Sequence, residues 1–256
     1  MAIPYGRPFT AALLIASACL DTVPTDPEPI GEGRRALFIG NSYLYTQDIP
    51  GIVQALADSA GGDQIAVATV AGPDLALIDH WKLGAAREAI AQGGWEWVIL
   101  QQGPSSVEVN RDSLRLVSRL FAGDITQAGA QPALFSAWPT SDRRQDFPRA
   151  IESYTLAAAD VNGLLLPVAS AWLAAWARDP SLGLYADRLH ASPAGAYLAS
   201  LVIYSRLLGK TPIGLPARLR LRSGETIAIS TQVAAVLQAA AAEVTQSDVS
   251  GLRVAR

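Results

Sequence analysis

From Arg34 onward, short apolar runs alternate with longer stretches of helical periodicity, and this rhythm limits the fold more than any other feature. Ala36–Ile39, Ile65–Val70, Trp97–Gln101, Ala133–Ala137 and Leu164–Pro167 read as five strands. They are near-continuous apolar runs, the pattern of strands buried on both faces. Between them, 47–60, 75–92, 113–128 and 146–160 carry helical spacing; 169–177 and a helix opened by Ser192-Pro193 and running to Gly209 follow. Strands separated by helices require a parallel sheet covered on both faces. The expected fold is a three-layer α/β/α sandwich with a five-stranded parallel sheet. Residues 34–213 form this domain. Residues 214–256 are an extension packing on it, a hairpin around Ser223-Gly224 followed by an Ala-rich helix over 231–244. Arg218, Arg220 and Arg222 alternate along the hairpin as a solvated strand face.

The N-terminus reads as a targeting segment. Arg7 precedes an apolar stretch, Phe9–Ala18, too short to span a bilayer. Ala16-Ser17-Ala18 is a small-x-small cleavage pattern, and Cys19 follows at once. Cys19 is the chain's one cysteine, so no internal disulfide is possible. The stretch 15–19 resembles a bacterial lipobox, with Ala16 where Leu is usual. The expectation is a signal peptide over 1–18, lipidation of Cys19 and a Pro/Asp/Glu/Gly-rich tether over 19–33. The protein would then be exported and held on the bacterial cell envelope, facing periplasm or surface. A secreted protein with an idle thiol is the alternative. The net charge of −3 gives no reason to expect nucleic acid.

The chain has two histidines. His80 lies inside a helical stretch and reads as a partly exposed helix residue. His190 lies in a loop, three residues after Asp187, close enough for the carboxylate to meet and orient the imidazole. The nucleophile candidate is Ser42, directly after the first strand. With strand order 2-1-3-4-5, ligands bind in the crevice beyond strands one and three. Ser42 ends the first and Gln101-Gln102 the third. No His/Cys/Asp cluster has metal-ligand spacing, and no metal or organic cofactor is expected.

Gly40-Asn41-Ser42-Tyr43, Gly72, Leu100-Gln101-Gln102-Gly103 and Asp187-Arg188-Leu189-His190, in this order, resemble the SGNH (GDSL-type) hydrolases. The resemblance covers roughly 34–209. It implies a flavodoxin-like α/β/α fold and an esterase in which Ser42 attacks the acyl carbon, His190 takes its proton and Asp187 orients His190. It implies an oxyanion hole of the Ser42 and Gly72 N–H groups plus a side-chain amide, Gln101 in preference to Gln102. Two departures stand out. Gly-Asp-Ser-Leu appears as Gly-Asn-Ser-Tyr, and Gly103-Pro104-Ser105 replaces Gly-x-Asn after the third strand; a subset of the family shares the first form and a Leu-Gln motif. Asn41, Tyr43 and Trp138 are expected to line the cleft, while Trp172 and Trp176 read as core. The substrate is expected to be a small-molecule or glycan ester, acetyl among the candidate acyl groups. A non-catalytic glycan-binding protein on the same fold, or an O-acyltransferase using the same triad, remain as alternatives.

Overall fold

The computed structural model describes residues 26–30 and 33–251, with side chains described over 33–246. The expected signal peptide over 1–18, the expected lipidation site Cys19 and residues 20–25 and 31–32 of the expected tether lie outside these residues.

Strand β1 (Asp26–Ile30) is followed by β2 (Arg34–Gly40), the one-turn helix α1 (Ser42–Tyr45), α2 (Ile49–Ala60) and β3 (Ile65–Ala71). Then come α3 (Leu77–Leu83), α4 (Ala85–Ala91), β4 (Trp97–Leu100), α5 (Glu108–Gln127) and β5 (Gln131–Phe135). A 3₁₀ turn (Ser141–Asp146) leads into α6 (Phe147–Asp160), β6 (Leu164–Leu166), α7 (Val168–Arg178) and α8 (Pro193–Leu208). The hairpin β7 (Arg218–Arg220) and β8 (Thr226–Ala228) precedes α9 (Thr231–Gly251).

The main sheet has the order β1-β3-β2-β4-β5-β6. From β2 to β6 all pairings are parallel, so the expected five-stranded core and its strand order are present. Ala36–Ile39 are fully buried, because helices cover both faces. In one layer α2, α7, α8 and α9 pack on one another; in the other, α3, α4, α5 and α6 do. The C-terminal extension joins the first layer. Gln238 donates to the Tyr197 hydroxyl and to the Leu215 carbonyl, and Arg178 pairs with Glu243 at 2.5 Å.

Two expectations need correction. Residues 26–30 of the anticipated tether form a sixth strand, antiparallel to β3. Pro27 and Pro29 alternate along it, which leaves donors missing on one side, a pattern tolerated at a sheet edge. The single helix read over 75–92 is two, α3 and α4, because Gly84 at φ 87 breaks the helical path between them.

Candidate active site

The Ser42 turn grows out of the end of β2. Asn41 stands at φ −136, ψ −156 and caps α1, its Oδ1 accepting the Tyr43 N–H at 3.2 Å. This cap turns the chain sharply after Gly40 and leaves Ser42 half-buried at the first helical position. That position has no intrahelical partner for its N–H. The approach to the turn is tight: a Cβ on Gly40 would lie 2.2 Å from Gln101 Oε1.

Gln101 is the brace of this turn. Fully buried, it accepts the Asn41 N–H through Oε1 at 2.9 Å. Its Nε2 donates to Asn41 Oδ1 at 3.1 Å and to the Gln102 carbonyl at 2.6 Å. Both of its amide hydrogens are thereby committed, so it does not serve as the free oxyanion donor expected of it. Gln102 is the amide at the cleft wall. Its Nε2 bonds Ser105 Oγ at 2.8 Å and, at 3.4 Å, the Asn110 carbonyl. The Gly72 N–H points at the Gly40 carbonyl, 3.2 Å away, extending the β2–β3 ladder. In this conformation it is not presented to the cleft. Asn41 does line the cavity, and its Nδ2 donates to the Leu75 carbonyl at 2.9 Å with a second hydrogen to spare.

The histidine loop is built by Asp187. Its Oδ1 accepts the N–H groups of Leu189 and His190, both at 2.6 Å, while its Oδ2 lies 2.7 Å from His190 Nδ1. One carboxylate therefore folds the turn and orients the ring. The same bonds, the imidazole first and then the two backbone N–H groups, hold the Asp187 carboxyl down at about 2. An ionised carboxylate accepts only, so Nδ1 carries the proton and Nε2 is left as the basic nitrogen. The Ala186 N–H to His190 carbonyl bond at 2.9 Å closes the loop, and Ser192 caps α8 behind it.

The two turns face one cavity of about 310 Å³, lined by Asn41, Ser42, Tyr43, Gln102, Ser105 and Leu189 among others. They are joined beneath by Trp138. The Tyr43 hydroxyl donates to the Trp138 carbonyl at 3.1 Å, and the Trp138 indole donates to the Leu189 carbonyl at 2.9 Å. Among the described residues Ser42 makes no hydrogen bond to His190; such contacts are often long without substrate.

Trp138 is fully buried and stacks on Trp172 at 4.3 Å. It is a floor under the site, and the expectation that it lines the cleft is corrected. His80 is buried as well, with Nε2 2.7 Å from the Gly40 carbonyl. It is no exposed helix residue, because its place on α3 turns it with Leu77 toward the sheet. Since that carbonyl only accepts, His80 Nε2 carries the proton.

No family model matches the sequence, and no curated protein matches it significantly. Solved structures do. A protein from Slackia heliotrinireducens, assigned as an SGNH hydrolase, is 26% identical at a TM-score of 0.58, covering 69% of this chain and 100% of that one. A DUF4886 family protein from Bacteroides uniformis is 14% identical at a TM-score of 0.67, over 84% and 95%. The lipase/acylhydrolase from Enterococcus faecalis is 14% identical at 0.56, over 69% and 96%. With its five-stranded parallel sheet and these structural relatives, the chain carries the SGNH hydrolase fold.

Proposed function

We propose that this chain is a serine esterase that removes an acyl group from an oxygen ester, using Ser42 as nucleophile, His190 as base and Asp187 as its orienting partner. Ser42 Oγ bonds to the acyl carbon as His190 Nε2 takes its proton. The proton then passes to the departing alkoxide, and water repeats the sequence on the acyl-serine. The Ser42 N–H and the spare hydrogen on Asn41 Nδ2 are the donors for the oxyanion; one such donor is commonly worth about 3 kcal/mol of transition-state stabilisation. The observation that carries this reading is the single Asp187 carboxylate folding the loop and fixing the His190 tautomer, beside the cavity that Ser42 lines. The N-terminal pattern supports an exported protein anchored by lipid on Cys19. Acetyl is one candidate acyl group, and a glycan ester is one candidate substrate.

The test is release of acetate from 4-nitrophenyl acetate by the purified protein and by Ser42→Ala. Turnover abolished by the substitution, at unchanged circular dichroism, supports the reading; an active Ser42→Ala protein refutes it. Non-catalytic glycan binding is favoured by one observation, the commitment of the Gln101 amide and the Gly72 N–H to internal bonds. A folded parent that turns over no ester yet retains glycans on an array would establish that second reading. Acyl transfer would reveal itself as acylated acceptor in the products when a sugar is added.

A further inference from the structure

The cavity at Ser42 has a neighbour. Pro104, Ser105 and Asn110 of its wall also line a second cavity of about 280 Å³, whose far side carries Thr140, Arg143, Asp146 and Arg188. The saddle between the two is Ser105, a buried non-glycine residue at φ 55. Its hydroxyl accepts from Gln102 at 2.8 Å and donates to the Gly103 carbonyl at 3.1 Å. Its own carbonyl accepts the Ser153 hydroxyl at 2.7 Å. A left-handed serine held on three sides is the kind of strain that persists where a ligand is clamped.

The two arginines differ. The Arg143 side chain is 51% exposed and pairs at 2.6 Å with Asp146, whose side chain is 7% exposed. The Arg188 side chain is 73% exposed and pairs at 3.3 Å with Asp142, itself 52% exposed. An exposed pair of this kind is weak and easily exchanged for a ligand. Two guanidiniums, Arg143 and Arg188, face two carboxylates, Asp146 and Asp142, so the lobe is balanced in charge and Arg188 is the cation with the looser partner.

Arg188 directly follows Asp187, and its carbonyl accepts the Ser141 N–H at 2.9 Å. The base of its side chain is therefore fixed relative to His190. In triad chemistry the histidine returns its proton to the departing oxygen, so the alcohol half of the ester lies on the histidine side. We infer that the second lobe is the alcohol subsite, and that Arg188 binds a carboxylate carried by the alcohol. The substrate class is then an acyl ester of an acidic alcohol, such as an acidic sugar. A guanidinium suits this task because its planar fork takes a carboxylate through two parallel bonds.

The inference rests on the esterase reading, and the experiment separates the two. Acetate release is followed from 4-acetoxybenzoate and from methyl 4-acetoxybenzoate, which differ in whether the carboxylate is free. The proteins are the parent and Arg188→Gln, an exposed position where folding is not at risk. The expected result is a parent that favours the acid, and a rise of about tenfold in KM for the acid alone in Arg188→Gln. The methyl ester should change less than about twofold. Equal effects on both probes, no effect on either, or a parent that favours the methyl ester overturns the inference while leaving the triad standing. A parent inert on both probes overturns the inference too. If that parent also fails to take a fluorophosphonate on Ser42, the esterase reading fails with it.

Discussion

The Trp138 indole donates to the Leu189 carbonyl at 2.9 Å, one residue before His190. The same tryptophan accepts the hydroxyl of Tyr43, one residue after Ser42. The nucleophile turn and the base loop, about 150 positions apart in the chain, are thus tied through one buried residue, by its backbone carbonyl on one side and its indole on the other. Its ring is fixed by Trp172, stacked at 4.3 Å with 10° between the planes, so neither end of the tie drifts easily.

Trp138→Phe keeps an aromatic ring and loses the indole donor. Freed from its bond, the Leu189 carbonyl lets the His190 loop shift, and misplacement of about 1 Å can cost about 100-fold in rate. The expected outcome is a fall in kcat of about tenfold or more with little change in KM, and Tyr43→Phe should act in the same direction. Steady-state kinetics of both variants and their double mutant check this. Strict additivity of the two losses would contradict a shared tie.

Asp187→Asn removes the charge that fixes the His190 tautomer. Because Asp187 is exposed, the fold should survive with its melting curve nearly unchanged. Activity should fall by roughly 10³- to 10⁴-fold. The Asp187 carboxyl stays ionised down to about 2. Its stabilising bonds are fully present above about pH 4, the ordinary range of an unfolded aspartate, and are lost as pH falls toward 2. A carbon NMR titration of this carboxyl with a midpoint near 4 would contradict the geometry.

His80 supplies a second pH dependence. Burial lowers its pKa, an effect opposed by its bond to the Gly40 carbonyl. In the unfolded chain an imidazole takes up its proton near about pH 6.5, while the folded one resists. More protons are bound by the unfolded state in this window, so stability is full above it and falls as pH is lowered. Melting temperature should therefore decline more steeply from pH 7 to 5 in the parent than in His80→Gln. Parallel curves would refute this.

Gln101→Leu should damage the fold before the chemistry. It leaves the buried Asn41 N–H and one lone pair of the Asn41 amide oxygen without partners. Each stranded buried group costs about 1–3 kcal/mol. A loss of roughly 2–4 kcal/mol, or about 5–10 °C in melting temperature, is expected in denaturation experiments. A variant as stable as the parent would show that the brace carries little.

How far the sequence foretold this molecule depends on the range of the forces involved. The apolar runs from β2 to β6 were legible because both faces of each strand are buried, which leaves a local signature. The place of Ser42 at a strand end and the contact of Asp187 with His190 were legible because the strand end, the cap at Ser192 and the three-residue spacing are local too. What escaped was set by distant partners. His80 shares a face with Leu77, three residues earlier, and that spacing was the available signal of burial. Polar neighbours Asp79 and Lys82 masked it. Whether Gln101 or Gln102 faces the cleft is decided by Asn41, sixty residues away, and no local pattern carries that choice. Trp138 followed a strand and a proline came next, which suits a cleft wall. Its burial comes from Trp172 and Tyr43, which only the folded chain brings there. The Pro-Glu-Pro of β1 read as tether because proline interrupts interior strands, and the edge position is not visible in sequence.

The most direct test of the account is labelling of the full-length protein with a fluorophosphonate, read by intact mass and by peptide mapping, beside Ser42→Ala and His190→Ala. One adduct on the parent, mapped to Ser42 and absent from both variants, is the predicted result, because only a serine activated by His190 reacts. A well-folded parent that takes no label, or that takes it on a serine other than Ser42, would contradict the assignment of Ser42, His190 and Asp187 as the catalytic triad.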